Sequence, residues 1–506
     1  MSSMEGRAVR TRVAGLLDAA QRRYADTAAA PLLREAVQRI DAPLRVALAG
    51  KVKAGKSTLL NALVGEQLAA TDAGECTRIV TWYRDGLTYR VTAHDGDDAD
   101  APSHPLSFQR GERALTIDLA GRDPAAIDHL VIEWPSTALQ AMTLIDTPGI
   151  GSLSADLSAR THAALAPEDR PGAADAVCYL MRHLHASDAR FLESFRDDVA
   201  TTAAPMNAVG VLSRADEIGA GRLAALESAA RIARRYRGDP QVRRLCQTVM
   251  PVAGLLAETG ATLREDEFRA LTELVTVDRE ALQRLLLSAD RFSAVDAPTD
   301  LDADVRRGLL ARLGVFGIRL SLALIRSRQA PTAAALAEAL VARSGVAALR
   351  KTLLTQFAAR ADLLKARSGL AVLSAVLTRQ PLPGSDDLIA AVEQIATGTH
   401  AFAEARLLNA LRADTVALDD DAAAEAERLL GGHGDDPASR LGLVGDDEPV
   451  HVDADMAREA ANAALTRWRR RAEHPLATRA SSEVTTVVMR SCEGIVARLA
   501  PSRPPR

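Results

Sequence analysis

The run Gly50-Lys51-Val52-Lys53-Ala54-Gly55-Lys56-Ser57 has the spacing G-x-x-x-x-G-K-[ST]. Those residue types at that spacing suit a chain of phosphates. Gly50 and Gly55 let the backbone wrap closely round phosphate oxygens, so that consecutive N–H groups and a following helix N-terminus face the anion. Ala54 and Thr58 belong to the same ligand-facing stretch. Lys56 is placed to reach the β- and γ-phosphates, and the Ser57 hydroxyl to ligate Mg²⁺.

Further texts fit the same chemistry. Asp146-Thr147-Pro148-Gly149 closes an apolar run, at the strand end where ligands bind in open α/β sheets. Asp146 is expected to hold Mg²⁺ through water, and Gly149 to donate its N–H to the γ-phosphate. Thr77, inside Gly74-Glu75-Cys76-Thr77-Arg78, offers a hydroxyl to Mg²⁺ and a carbonyl to an attacking water; its other reading is an ordinary loop or capping threonine. Ser213-Arg214-Ala215-Asp216 resembles the guanine-reading [NT]-K-x-D motif of GTPases. Asp216 accepts from guanine N1 and N2, a donor pair that adenine lacks. Ser213 and Arg214 depart from the motif, yet Arg214 can stack its stem and guanidinium over a base. In Pro251-Val252-Ala253-Gly254, Ala253 and Gly254 are expected to turn backbone N–H groups toward guanine O6. The ligands implied are GTP or GDP with Mg²⁺.

The elements that position these residues follow from the apolar pattern. Leu44–Ala49 reads as a buried strand and Thr58–Val64 as a helix, the context a phosphate loop needs. From about 44 to 290 strands and helices alternate, as in a doubly wound, mostly parallel α/β domain. Strands are expected at 78–84, 87–94, 130–134, 142–145, 175–180, 206–212 and 248–252, with a loop over 95–113. Ahead of them, residues 1–43 carry apolar positions at helical spacing and are expected to pack on helices elsewhere. From 291 to 506 the pattern is helical, with dense apolar helices at 309–324 and 346–377 and others near 386–412, 420–430, 454–474 and 478–499. These read as an elongated bundle.

Taken together, Gly50–Ser57, Thr77, Asp146–Gly149 and Ser213–Asp216, followed by a long helical region, resemble the bacterial dynamin-like GTPases. More narrowly they are similar to the mycobacterial isoniazid-inducible dynamin-like proteins. The resemblance implies a GTPase head, a helical neck and trunk, and a tip that meets anionic lipid on the inner face of the plasma membrane. It also implies membrane fission, fusion or repair, and a head-to-head homodimer or a dynamin-like hetero-partner. The other class open to this sequence is a regulatory GTPase switch whose helical half binds a protein. Dynamins carry Gln-Ser where this chain has Val52-Lys53. Lys53 therefore reads either as a cis cation for the transferring phosphoryl group or as a solvated loop lysine.

Composition sets the limits. Five hundred and six residues exceed one core, and 47% apolar content supplies several. A net charge of −4 argues against a nucleic-acid-coating protein, and no such partner is expected. The four cysteines lack C-x-x-C spacing and fit a reducing cytoplasm. No signal peptide is read at the N-terminus. The longest apolar candidate for a membrane span is taken as Gly369–Thr378, about half the ~20 residues required. For lipid contact the candidates are Arg440–Val444, Arg379–Asp387 and Ser327–Pro331. Arg467–Arg471, with Trp468 at its centre, reads as a headgroup site or as the solvated face of an amphipathic helix.

Overall fold

The computed structural model describes residues 2–69, 79–96, 102–111, 115–148, 173–183, 186–194, 207–294, 297–412, 415–416, 418–443, 453–474 and 479–499. Thr77 and Gly149 lie outside the described residues.

Ten strands form one sheet: β1 (Leu44–Gly50), β2 (Val80–Arg84), β3 (Arg90–His94), β4 (Ser103–Arg110), β5 (Leu115–Asp118), β6 (His129–Glu133), β7 (Met142–Asp146), β8 (Ala176–Met181), β9 (Ala208–Ser213) and β10 (Val249–Val252). Their order is β10-β9-β8-β1-β7-β2-β6-β3-β4-β5. The first five run parallel, with β1 in register against β7 on one side and β8 on the other. β2 then turns antiparallel to β7, and a meander β6-β3-β4-β5 extends the edge. Strands β8 and β9 are buried at every position, as continuous apolar runs covered on both faces should be.

The loop expected over 95–113 contains β4. Its sequence SHPLSFQR buries Leu106 alone, so no apolar alternation announces it. Pairing with β3, Val91 opposite Leu106, makes the strand.

Alternate residues of β1 face two different cores. Ala47 and Ala49 share one with Leu309, Leu313, Phe316, Leu336 and Leu340. Val46 and Leu48 share the other with Val346, Leu349, Leu353 and Phe357. Packing against the sheet therefore continues well past residue 290. A third core joins the N-terminal helices Ser2–Arg23 and Ala30–Asp41 to the helix Ala361–Arg379, through Val13, Leu17, Leu33, Leu370 and Leu373. Gly369 lets the first and last of these approach: a Cβ there would lie 2.8 Å from Val13 Cγ1. A fourth core links the C-terminal helices Ala454–Ala472 and Arg479–Leu499 through Ala461, Trp468, Val488 and Cys492.

Two long helices are broken. Ala303–Arg326 has Gly314 at φ 62°, ψ 176°, outside helical space. This is the one helix among the described residues that is long and apolar enough to cross a membrane, a stretch the sequence reading passed over in favour of Gly369–Thr378. It is packed in the core beside the sheet. The expected helix 346–377 is divided by a π-helical turn at Leu353–Phe357 and a 3₁₀ turn at Ala358–Arg360.

Candidate functional site

The parallel strands bring their C-terminal ends to one edge, and most of the described residues expected from the sequence lie there. Gly50 ends β1 at φ 150°, and a Cβ would collide with the Leu180 carbonyl oxygen of β8. Gly55 sits at φ 94° as N-cap of the helix Lys56–Val64. Lys53 takes φ 62°, unusual for a side-chain-bearing residue, and is exposed with no partner among the described residues.

Lys56 is buried, 8% exposed. Its ammonium donates to the carbonyls of Gly50 and Lys51 at 3.2 and 3.3 Å. Burial pushes its pKa below the ordinary value, and the Asp146 charge offsets part of that. A buried cation with only carbonyl partners is a good receptor for an anion in the loop.

Ser57 Oγ donates to Asp146 Oδ2 at 3.0 Å. Asp146 Oδ1 is shielded from water and has no hydrogen-bond partner. Burial raises the carboxyl's pKa, with Lys56 and the Ser57 hydrogen bond working against it. A hydroxyl beside an unsatisfied carboxylate oxygen is the hard-oxygen donor set Mg²⁺ accepts, and Mg²⁺ carried on phosphates needs few protein ligands. No cluster of three or more His, Cys, Asp or Glu able to hold a metal occurs among the described residues.

Next to the loop, a pocket of about 130 Å³ is lined by Ala54, Gly55, Thr58, Ser213, Arg214, Asp216 and Gly254. Three distant texts thus form one cavity. Asp216 is 7% exposed, and burial raises its pKa. Two residues differ from expectation. Arg214, at φ 52°, donates to Glu217 Oε1 at 2.6 Å, so its guanidinium is ion-paired where the sequence had it stacked over a base. Ala253 N–H donates to the Ser344 carbonyl at 2.9 Å, so that amide is spent inside the protein, leaving Gly254 on the pocket wall.

Several contributors escaped the sequence reading. Leu180, Val211 and Leu255 complete the pocket. Glu217 pairs with both Arg214 and Arg182. Past Asp216, Gly219, Ala220 and Gly221 all have positive φ, and Arg319 donates to the Gly221 carbonyl at 2.6 Å. Lys51 Nζ reaches Asp188 at 3.5 Å, a carboxylate that also accepts from Tyr179. Only Glu217 had a local signal, lying one residue from Asp216.

Two lipid-contact candidates are structural. Arg440 is 3% exposed and clasps Glu404 and Asp435, so it cannot flank a lipid wedge; residues 444–450 lie outside the described set. Trp468 is buried with its indole donating to Glu425, while Arg467, Arg469 and Arg471 pair with Glu425, Glu493 and Asp419.

The profile of the Dynamin family matches residues 46–202. The isoniazid-induced protein IniC of Mycobacterium tuberculosis is 42% identical over 465 residues, 92% of each chain. The bacterial dynamin-like protein of Nostoc punctiforme is 36% identical over 121 residues, 22% of this chain and 17% of that one. A solved member of an oligomerised bacterial dynamin pair aligns over 98% of this chain and 76% of its own at 12% identity, with a TM-score of 0.29, too low to bear on the site. The phosphate loop, the aspartate beside it and the match to IniC along nine-tenths of both chains agree: this chain belongs to the dynamin family and is a dynamin-like GTPase.

Proposed function

We propose that the chain hydrolyses Mg²⁺-bound GTP to GDP and phosphate and couples the cycle to binding and remodelling of the inner face of the plasma membrane. The observation that carries the nucleotide half is the meeting of Lys56, the Ser57–Asp146 pair and Asp216 at one sheet edge. Lys56 takes charge from the β- and γ-phosphates, and Asp216 reads guanine N1 and N2. Ser57, and Asp146 through water, hold Mg²⁺, which when bound neutralises charge on those phosphates. Thr77 and the Gly149 amide position the attacking water and the γ-phosphate. No general base is required, since phosphoryl transfer depends chiefly on positioning and electrostatics. Lys53 supplies a cis cation: Lys53→Ala lowers kcat while nucleotide affinity stays intact, and unchanged kcat removes that role. Heads pair across the nucleotide face, where Val52 is 48% exposed.

The membrane half rests on family membership. Its test is GTP turnover with and without vesicles of anionic lipid, with co-sedimentation of the same samples. Lipid-accelerated turnover with sedimentation supports it. Turnover without lipid binding favours the second reading, a GTPase switch acting on a protein partner, which the burial of Arg440 and the pairing of Arg467, Arg469 and Arg471 also favour.

A further inference from the structure

At the other end of the phosphate-loop helix lies a larger cavity, about 380 Å³. It opens to the surface, and its volume falls in the ~300–1,000 Å³ range of small-molecule sites. Its walls are almost wholly apolar, among them Leu63, Met142, Ala257, Val346 and Leu353. One charged side chain, Arg350, lines it among the described residues. Arg350 Nη2 donates to the Leu63 carbonyl at 2.8 Å and the Ala62 carbonyl at 3.4 Å, the last turn of the phosphate-loop helix. Its Nε and Nη1 have no partner among the described residues. Arg350 is exposed, and Leu354, one turn further on, is a large apolar side chain left 43% exposed at the same rim. The π-helical turn Leu353–Phe357 forms part of this wall, a distortion that recurs at functional sites.

We propose that this cavity binds a free single-chain amphiphile with an anionic head, of the medium-chain fatty carboxylate class. The tail lies among Leu63, Ala257, Val346 and Leu353, and the carboxylate accepts from Nη1 of the Arg350 guanidinium. Nη1 is a charge-assisted donor of the kind a carboxylate accepts. A more polar ligand finds no further charged group on the walls among the described residues, and a wholly apolar one makes no use of the guanidinium. The inference does not depend on the GTPase reading, although the same guanidinium caps the helix that starts at Lys56.

Calorimetric titration of the full chain with octanoate, decanoate and dodecanoate, each below its micelle concentration, tests it. The expected result is one saturable site whose affinity rises about three- to fourfold per methylene until the cavity is full. Arg350→Gln weakens decanoate at least about tenfold and leaves decanol unchanged. Ala261→Trp, at an exposed rim position, removes binding of both; Ala138→Phe, from the Thr137–Gln140 side, serves if that variant does not fold. Affinity for a fluorescent GTP analogue, unchanged in the rim variants, separates this site from the nucleotide site. Absence of saturable binding at every chain length, equal loss of decanoate and decanol in Arg350→Gln, or full binding in a folded rim variant overturns the assignment.

Discussion

Two aspartates flank β1, one at each end of the sheet. Asp146, at the C-terminal end of β7, has Ser57 on Oδ2 and nothing on Oδ1. Asp175, just before β8, accepts from Arg39 Nη2 at 2.7 Å and Nε at 3.1 Å, from Ser368 Oγ at 3.0 Å and from the Arg45 amide at 2.9 Å, with Lys365 Nζ at 3.4 Å. Burial lifts the pKa of Asp146. Burial acts on Asp175 too, but Arg39, Lys365 and the Arg45 amide outweigh it and hold that carboxyl well below the usual range. The same side chain, one strand either side of β1, is satisfied by protein where it ties the sheet to the helix Ala361–Arg379. It is left wanting where a ligand belongs.

The largest expected effect lies at the satisfied end. Asp175→Ala takes the shared carboxylate away from the buried cations Arg39 and Lys365 and should cost about 3–5 kcal/mol in denaturant unfolding; a loss under about 1 kcal/mol would erase the contrast. Lys56→Ala should cost about 100-fold in GTP-analogue affinity with little change in unfolding midpoint. Asp146→Asn should reduce Mg²⁺-dependent nucleotide affinity about tenfold and leave stability unchanged or higher, since a penalised charge is removed; equal destabilisation of Asp146→Asn and Asp175→Ala would show that the two ends do the same job.

Acid separates them more finely. The depressed pKa of Asp175 gives stability that is present above the unfolded carboxylate value, about 4, and is lost as pH falls below it. The raised pKa of Asp146 means its ionised form opposes folding, and protonation relieves that as pH falls through the raised value. As pH falls from neutrality toward that raised value, therefore, the Asp175 contribution should hold, and the unfolding midpoint should rise slightly where Asp146 takes up its proton. Mg²⁺-dependent GTP affinity should fall several-fold as protons compete at Asp146, and Asp146→Asn should flatten that profile. The smallest change is Ser368→Ala, about 1 kcal/mol in unfolding, because the other donors to Asp175 remain.

What could be read from the sequence was what is built from chain-local spacing. The phosphate loop, Asp146 and Asp216 each announce themselves within a few residues, and the flanking apolar runs fix the strands that carry them. The Asp175 cluster draws on residues 39, 45, 175, 365 and 368, and each of these cations looks like the polar face of its own element. β4 was invisible because its partners, not its residues, make it a strand. Arg440 looked like the basic flank of an apolar wedge because nothing nearby in sequence names Glu404 as its partner. Gly314 gives no sign in sequence that a helix breaks there.

The carbonyl of Ser344 holds the Ala253 amide, and Arg319 holds the loop after Asp216. The base end of the nucleotide pocket is thus braced by groups that come a hundred residues later in the chain. Such a head is not a cassette. Recombination that joined a foreign helical arm at residue 290 would strip both braces and the later helices that pack into both sheet cores, leaving the guanine-reading turn unsupported. A later junction is no freer, because Lys365 and Ser368 hold Asp175 and Glu427 pairs with Arg243, so the sheet and the helices after it are braced as one block.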